Sequence, residues 1–110
     1  MDVVWTPPET LRTDGVTARF MAEHDIGDRE QLLARSIDDP AWFWDAVVRF
    51  LDIPFQKPYT RVFDDSAGMA ATTWFDDGAI NVSEVCVDKW AARSPDRTAI
   101  TYEGEDGEQR

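Results

Sequence analysis

The 110-residue sequence predicts a mainly helical α+β fold, with about four short helices, a long irregular segment and one C-terminal strand of an incomplete β-hairpin. Three observations support this class. Apolar residues recur at helical spacing in the first half of the chain, most clearly behind the helix-start signal Asp39-Pro40. Residues 54–80 show no periodicity and contain several prolines and glycines. Residues 98–102 form a short β-prone run that precedes an acidic, turn-like stretch.

The first two predicted segments are an extended N-terminal arm at residues 1–13 and a helical lead-in at residues 14–53. The pair Pro7-Pro8 favours extended backbone in the arm, because proline restricts both itself and the residue before it. A first short helix is predicted from about residue 14 to residue 25, where apolar residues return at helical spacing before Gly27.

Two aspartates predict the starts of the next two helices. Asp28, with Gln31 three residues later, predicts a second helix that reaches about Ser36. Asp39-Pro40 predicts a third helix, because aspartate caps free amides and proline at the first helical position loses no hydrogen bond. The third helix has apolar residues at the spacing of a buried stripe, which are Phe43, Ala46, Val47, Phe50 and Leu51. We therefore expect it to anchor the core.

Residues 54–80 predict an irregular segment that wraps another body of protein, because compact domains seldom contain so long a structureless connection. Residues 63–67 are echoed by residues 75–79, twelve positions later. Two copies of a turn-prone pentamer are better explained by coincidence than by a repeat architecture, which needs at least about three units.

The last segment, residues 81–110, is predicted to hold a helix and the first strand of a larger domain. Asn81 with Glu84 forms a capping-box-like helix start, and the helix is expected to end before Ser94-Pro95. A strand at 98–102 and a turn at 103–108 follow. The strand is expected to lack its returning partner in this sequence, which would make it prone to aggregation in isolation.

Charge and composition exclude several classes of protein. Hydrophobic residues make up 43% of the chain and aromatic residues 12%, which is too apolar for a wholly disordered chain. The net charge of -11 repels phosphate backbones and anionic lipid headgroups, so nucleic acids and membrane surfaces are poor partners. Aspartate supplies 15 of the 22 acidic residues. This bias fits either a halophilic protein from a salt-rich cytoplasm or an ordinary acidic protein.

The chain has a single cysteine, Cys86, so no internal disulfide can form and a reducing cytoplasm is expected. The N-terminus has no basic leader region, and no apolar run approaches the roughly 20 residues that span a bilayer. Neither export nor membrane insertion is therefore predicted.

No residue is assigned as catalytic, cofactor-binding or metal-binding. His24 lies among carboxylates, but one imidazole is a weak metal signal and a solvated helix end explains it. The Asp-rich turns lack the ligand pattern of a calcium loop. Cys86 is predicted to be a buried, inert thiol, the aromatic run 42–44 to be packing, and Asn81 to be a helix cap. No glycine-rich phosphate loop follows a strand.

A succession of short motifs spans nearly the whole chain: Arg19-Phe20-Met21, Ser36-Ile37-Asp38-Asp39-Pro40, Phe43-Trp44, Pro58-Tyr59, Trp74-Phe75, Asn81, Asp96-Arg97-Thr98-Ala99-Ile100 and Glu103-Gly104-Glu105. It resembles the N-terminal region of the acetyl-, propionyl- and acetoacetyl-CoA synthetases, which are AMP-forming, adenylate-forming enzymes. The run 76–79 departs from the paired glycines that this family tends to place there. The opening Trp5-Thr6-Pro7 resembles the acetoacetate-activating branch, so the resemblance leaves the acyl group open.

The resemblance implies a parent ligase that forms an acyl-adenylate from a carboxylate and ATP, with magnesium, and then transfers the acyl group to CoA. It also implies that the family's phosphate loop, acidic adenylate motif and catalytic lysine lie beyond this sequence, so that residues 81–110 begin the large catalytic domain. The expected function is a non-catalytic N-terminal segment, inactive alone, whose partner is the remaining catalytic domain. The alternative is a stand-alone acidic helical module that binds a protein partner. The acyl substrate and the oligomeric state stay open.

Overall fold

The computed structural model describes residues 4–108, which form two compact units. The first unit comprises the residues up to Ile53 together with Thr60–Asp76, and the second comprises Pro54–Tyr59 together with the residues from Asp77 onward. Helices dominate, and a two-stranded antiparallel sheet accompanies them. The predicted mainly helical α+β class is confirmed. Among residues 4–108, the helices lack the length and the hydropathy of a membrane-spanning segment.

Two short helices open the first unit, where the sequence predicted an extended arm and one helix. Helix α1 spans Glu9–Asp14 and helix α2 spans Val16–Glu23. The extended arm is therefore wrong from Glu9 onward. The Pro8 carbonyl accepts hydrogen bonds from the amides of the first turn of α1, so the proline pair starts a helix here instead of prolonging extended backbone. Gly15 separates the helices, and a Cβ atom there would lie 2.5 Å from the Leu11 carbonyl oxygen.

Helices α3 (Arg29–Asp38) and α4 (Pro40–Phe50) begin at the two predicted aspartates. The Asp28 side chain accepts a 2.8 Å hydrogen bond from the Gln31 amide. The Asp39 side chain accepts one of 2.9 Å from the Trp42 amide. Each carboxylate satisfies an amide that has no partner within its own helix. Both predicted helix starts are confirmed.

The interior of the first unit is small. Phe20 and Ala46 are the buried apolar residues among those described, at 5% and 4% exposure. The Phe20 ring meets the Phe50 ring edge-on at 5.3 Å between centroids, and the Phe43 ring at 6.0 Å. Residues Phe43, Val47 and Phe50 are only half-buried. Helix α4 therefore contributes one wall of an incomplete core, and Phe20 from α2 is its centre.

Within the stretch predicted to be irregular, residues 61–76 form a β-hairpin. Strand β1 (Arg61–Asp64) pairs antiparallel with β2 (Thr73–Asp76), and Phe63 lies opposite Trp74. The prediction missed it because each strand has only four residues and the connection contains a 3₁₀ turn at Met69–Ala71. Gly68 enters that turn at a φ of 91°, a value that favours glycine. The echoed pentamers begin on the two strands of one hairpin.

The second unit contains one helical stretch and little sheet. Lys57 and Ala79 form an isolated antiparallel bridge, and the helical stretch has a π turn at Glu84–Asp88 followed by α5 (Lys89–Arg93). The predicted strand at 98–102 is wrong, because these residues have no regular structure. A strand requires pairing hydrogen bonds from a neighbour, and propensity alone does not supply them. The predicted turn after it is present: the Gly104 amide donates to the Glu108 carbonyl at 2.9 Å.

Candidate functional site

The most developed polar cluster joins Arg61 to two carboxylates of the hairpin. Arg61 Nε and Nη2 donate to Asp76 Oδ2 at 2.9 and 2.6 Å, across the two strands. Arg61 Nη1 lies 2.6 Å from Asp64 Oδ2, three residues along the same strand. The register that places Arg61 opposite Asp76 makes this arrangement possible. The guanidinium thus ties both strands together.

The charges of this cluster stabilise one another. The backbone amide of Ser66 donates to Asp64, and this hydrogen bond, with the nearby Arg61, lowers the pKa of the Asp64 carboxyl below its usual 3.8. Hydrogen bonds from the Thr73 side chain and from Arg61 lower the pKa of Asp76, while the bond to Asp76 raises the pKa of Arg61. Arg61, Asp64 and Asp76 are therefore each paired with an opposite charge, as expected for a cluster that holds the hairpin together. None of the three pKa values is shifted toward neutral pH, so none of these groups is suited to proton transfer there.

An apolar groove lies among α2, α3 and α4. Its volume is about 180 Å³, and its lining is formed by Val16, Thr17, Phe20, Leu32, Phe43, Val47, Phe50 and Leu51. Its rim is accessible to solvent, since Val16 is 55% exposed. The predicted apolar stripe of α4 thus lines a groove. An open apolar concavity of this kind is suited to receive an apolar group.

His24 lies beside this groove in aromatic surroundings. Its ring is 4.6 Å from that of Phe20 and 5.4 Å from that of Trp42. The Nε2 atom of His24 is buried without a hydrogen-bond partner in the described part of the chain. The Arg35 guanidinium stacks 3.4 Å above the Trp42 ring. His24 therefore lies at the end of a helix, as the sequence suggested, because it caps the C-terminus of α2. The end is not fully solvated, since the imidazole packs against aromatic rings.

The other residues considered from the sequence do not converge. Asn81 caps its helix as predicted, since its side chain accepts hydrogen bonds from the Ser83 and Glu84 amides at 3.0 and 3.4 Å. Cys86 is exposed, which corrects the predicted buried thiol: the side of the helix that carries it is not covered in this unit. Within residues 4–108, no group of three or more His, Cys, Asp or Glu side chains could hold a metal ion.

Sequence reasoning missed the Arg61 clamp and the groove. The clamp depends on a strand register that the irregular composition concealed. The apolar stripe of α4 was visible in the sequence and forms part of the groove. Val16 and Leu32 lie on two other helices, and the sequence pattern does not show that these helices pack beside α4.

These features define a mainly helical segment with a small interior and an open apolar groove. The family described as "Acetyl-coenzyme A synthetase N-terminus" matches residues 29–86, and the chain belongs to this family.

Similar proteins agree with this assignment. The acetyl-coenzyme A synthetase of Psychromonas ingrahamii is 37% identical over 90 residues, which are 77% of this chain and 14% of that protein. That of Agrobacterium fabrum is 42% identical over 71 residues, 64% of this chain and 11% of that protein. The solved structure of acetoacetyl-CoA synthetase from Streptomyces lividans matches all of this chain and 18% of its own, with a TM-score of 0.86 and 29% identity. The chain therefore spans less than a fifth of the length of these relatives.

Proposed function

We propose that this chain is the non-catalytic N-terminal segment of an AMP-forming short-chain acyl-CoA synthetase. The observation that carries the proposal is the agreement of its whole fold with part of a solved synthetase, at a TM-score of 0.86 and 29% identity. The family match at residues 29–86 supports the same assignment from the amino-acid sequence alone.

The parent enzyme would convert a short-chain carboxylate, ATP and CoA into acyl-CoA, AMP and pyrophosphate. Magnesium would neutralise phosphate charge in the first step. The similar proteins are named for acetyl and acetoacetyl groups, which supports a short-chain acyl substrate for the parent enzyme. We place ATP, magnesium and CoA on the parent's catalytic domain and none of them on this chain. The single cysteine favours a reducing, cytoplasmic location.

The surface of the chain supports a role in packing. Several large apolar side chains are exposed, including Ile37 at 68%, Val82 at 64% and Trp90 at 51%. A monomeric soluble protein of this size normally buries more of such surface, and larger apolar patches mark contacts with other protein. The net charge of -11 also disfavours the approach of the polyanions ATP and CoA. We therefore expect the segment to pack against the catalytic domain and to take no part in binding ATP or CoA.

Two measurements test the proposal. Titration calorimetry of the 110-residue chain with MgATP should give no heat of binding, whereas micromolar affinity would overturn the non-catalytic assignment. A chimera in which this chain replaces the matching segment of the Streptomyces lividans enzyme should form acetoacetyl-CoA, and the same enzyme without that segment should lose most of this activity. A chimera no better than the shortened enzyme would refute the proposal.

A further inference from the structure

The apolar groove among α2, α3 and α4 has the dimensions of a socket for one side chain. Its volume of about 180 Å³ is close to the ~150 Å³ of an apolar cavity that accepts a benzene-sized group. Seven of its eight lining residues are apolar, and Thr17 is the exception. Such a lining offers almost nothing to a polar ligand, since a buried polar group without a hydrogen bond is costly.

The floor of the socket is formed by packed aromatic rings, while its rim is open to solvent. Phe20, at 5% exposure, is held by edge-on contacts with Phe43 and Phe50. Val16, at the rim, is 55% exposed. A floor set by interlocked aromatic rings retains its shape when empty, so an entering side chain meets a preformed surface.

Charge and length identify the occupant. A second copy of this chain would bring another net charge of -11 against the first, which opposes self-association. The relatives, in contrast, are at least five times longer than the part that this chain matches, since that part is 11% to 18% of their length. If the partner is part of the same polypeptide, its contact with the groove does not carry the entropy loss of bimolecular association. Even one apolar contact can then hold the segment in place.

We propose that the groove receives one large apolar side chain, of the leucine, methionine or phenylalanine class, from the catalytic body of the synthetase. The proposal rests on the proposed function, because it takes the rest of the enzyme as the partner. Val16, Val47 and Leu32 would contact the entering side chain from three different helices. The groove then anchors the segment at a defined point.

Thiol labelling of the chimera with the Streptomyces lividans enzyme tests the location. In a background in which Cys86 and every cysteine of the Streptomyces lividans part are replaced by serine, Val16→Cys places a thiol at the rim. Ala22→Cys places one on an exposed part of the same helix as a matched control. Val16→Cys should react with maleimide at least about tenfold more slowly in the chimera than in the free 110-residue chain, because labelling then requires local opening. The rate at Ala22→Cys should be similar in both.

A filling variant gives a second readout. Val47→Trp places a large side chain in the groove, whereas Arg49→Trp adds the same side chain at a position on α4 that is 76% exposed. Relative to Arg49→Trp, Val47→Trp should lower the melting temperature more in the chimera than in the free 110-residue chain, because only in the chimera does it occupy the place of the incoming side chain.

The outcomes separate the two proposals. An active chimera in which the Val16→Cys thiol reacts as fast as in the free chain, or in which Val47→Trp lowers the melting temperature relative to Arg49→Trp no more than in the free chain, would overturn the socket and leave the proposed function intact. An inactive chimera would overturn the proposed function and the socket with it.

Discussion

Removing the Phe20 ring should be the most damaging single substitution in the first unit. Phe20 is 5% exposed and contacts four other rings, and the nearest is His24 at 4.6 Å between centroids. Replacing a buried phenylalanine with alanine costs about 3 to 5 kcal/mol. The lower figure applies here, because Phe20 lines an open groove and its removal leaves no fully enclosed cavity. We expect Phe20→Ala to cost about 3 kcal/mol.

A loss of this size is large for a small chain. Domains of this length have a free energy of unfolding of roughly 5 to 15 kcal/mol, and a small interior places this chain at the lower end. Each kcal/mol corresponds to about 4 to 8 °C in melting temperature, so Phe20→Ala should lower the midpoint by roughly 12 to 24 °C. Circular dichroism during heating and during urea titration measures both quantities.

Leu33→Ala is the matched control, because Leu33 is 57% exposed on α3. Its removal should change the free energy of unfolding by only about 0.5 kcal/mol. If Phe20→Ala and Leu33→Ala had the same midpoint, Phe20 would not be the centre of the core, and the packing of α2 against α4 described above would be wrong.

Three further predictions concern a cap, a clamp and the net charge. Asp39→Ala should destabilise the chain by about 1 kcal/mol, measured by urea titration, because the Trp42 amide loses its partner; an unchanged midpoint would contradict the cap. The lowered pKa values of Asp64 and Asp76 contribute stability that is present above pH 3.8, the usual pKa, and is lost as the pH falls through the folded-state values. Arg61→Gln should therefore raise the pH midpoint of acid unfolding seen by tryptophan fluorescence, and an identical acid transition would show that the guanidinium does not stabilise these carboxylates. With a net charge of -11, helical circular dichroism should increase from low to molar KCl as the screening length falls to about 3 Å; a flat response would remove the case for salt adaptation.

The features that the sequence determined by itself are local ones. Asp28 and Asp39 start α3 and α4 at the predicted positions, because a cap is a contact between residues three apart in the chain. Asn81 is correct for the same reason. The succession of motifs also indicated the synthetase family, because short runs of residues can be recognised without knowing how they pack.

Features that join distant residues were decided by the tertiary structure alone. The 98–102 run has the propensity of a strand but no strand forms there, whereas the less regular residues 61–76 form the hairpin because their backbones pair with each other. Cys86 lies on the apolar side of its helix but is exposed. Periodicity in the sequence shows that a helix has an apolar side, whereas burial of that side depends on which other residues cover it. The Arg61–Asp76 contact and the groove likewise require a register and a helix packing that no local pattern encodes.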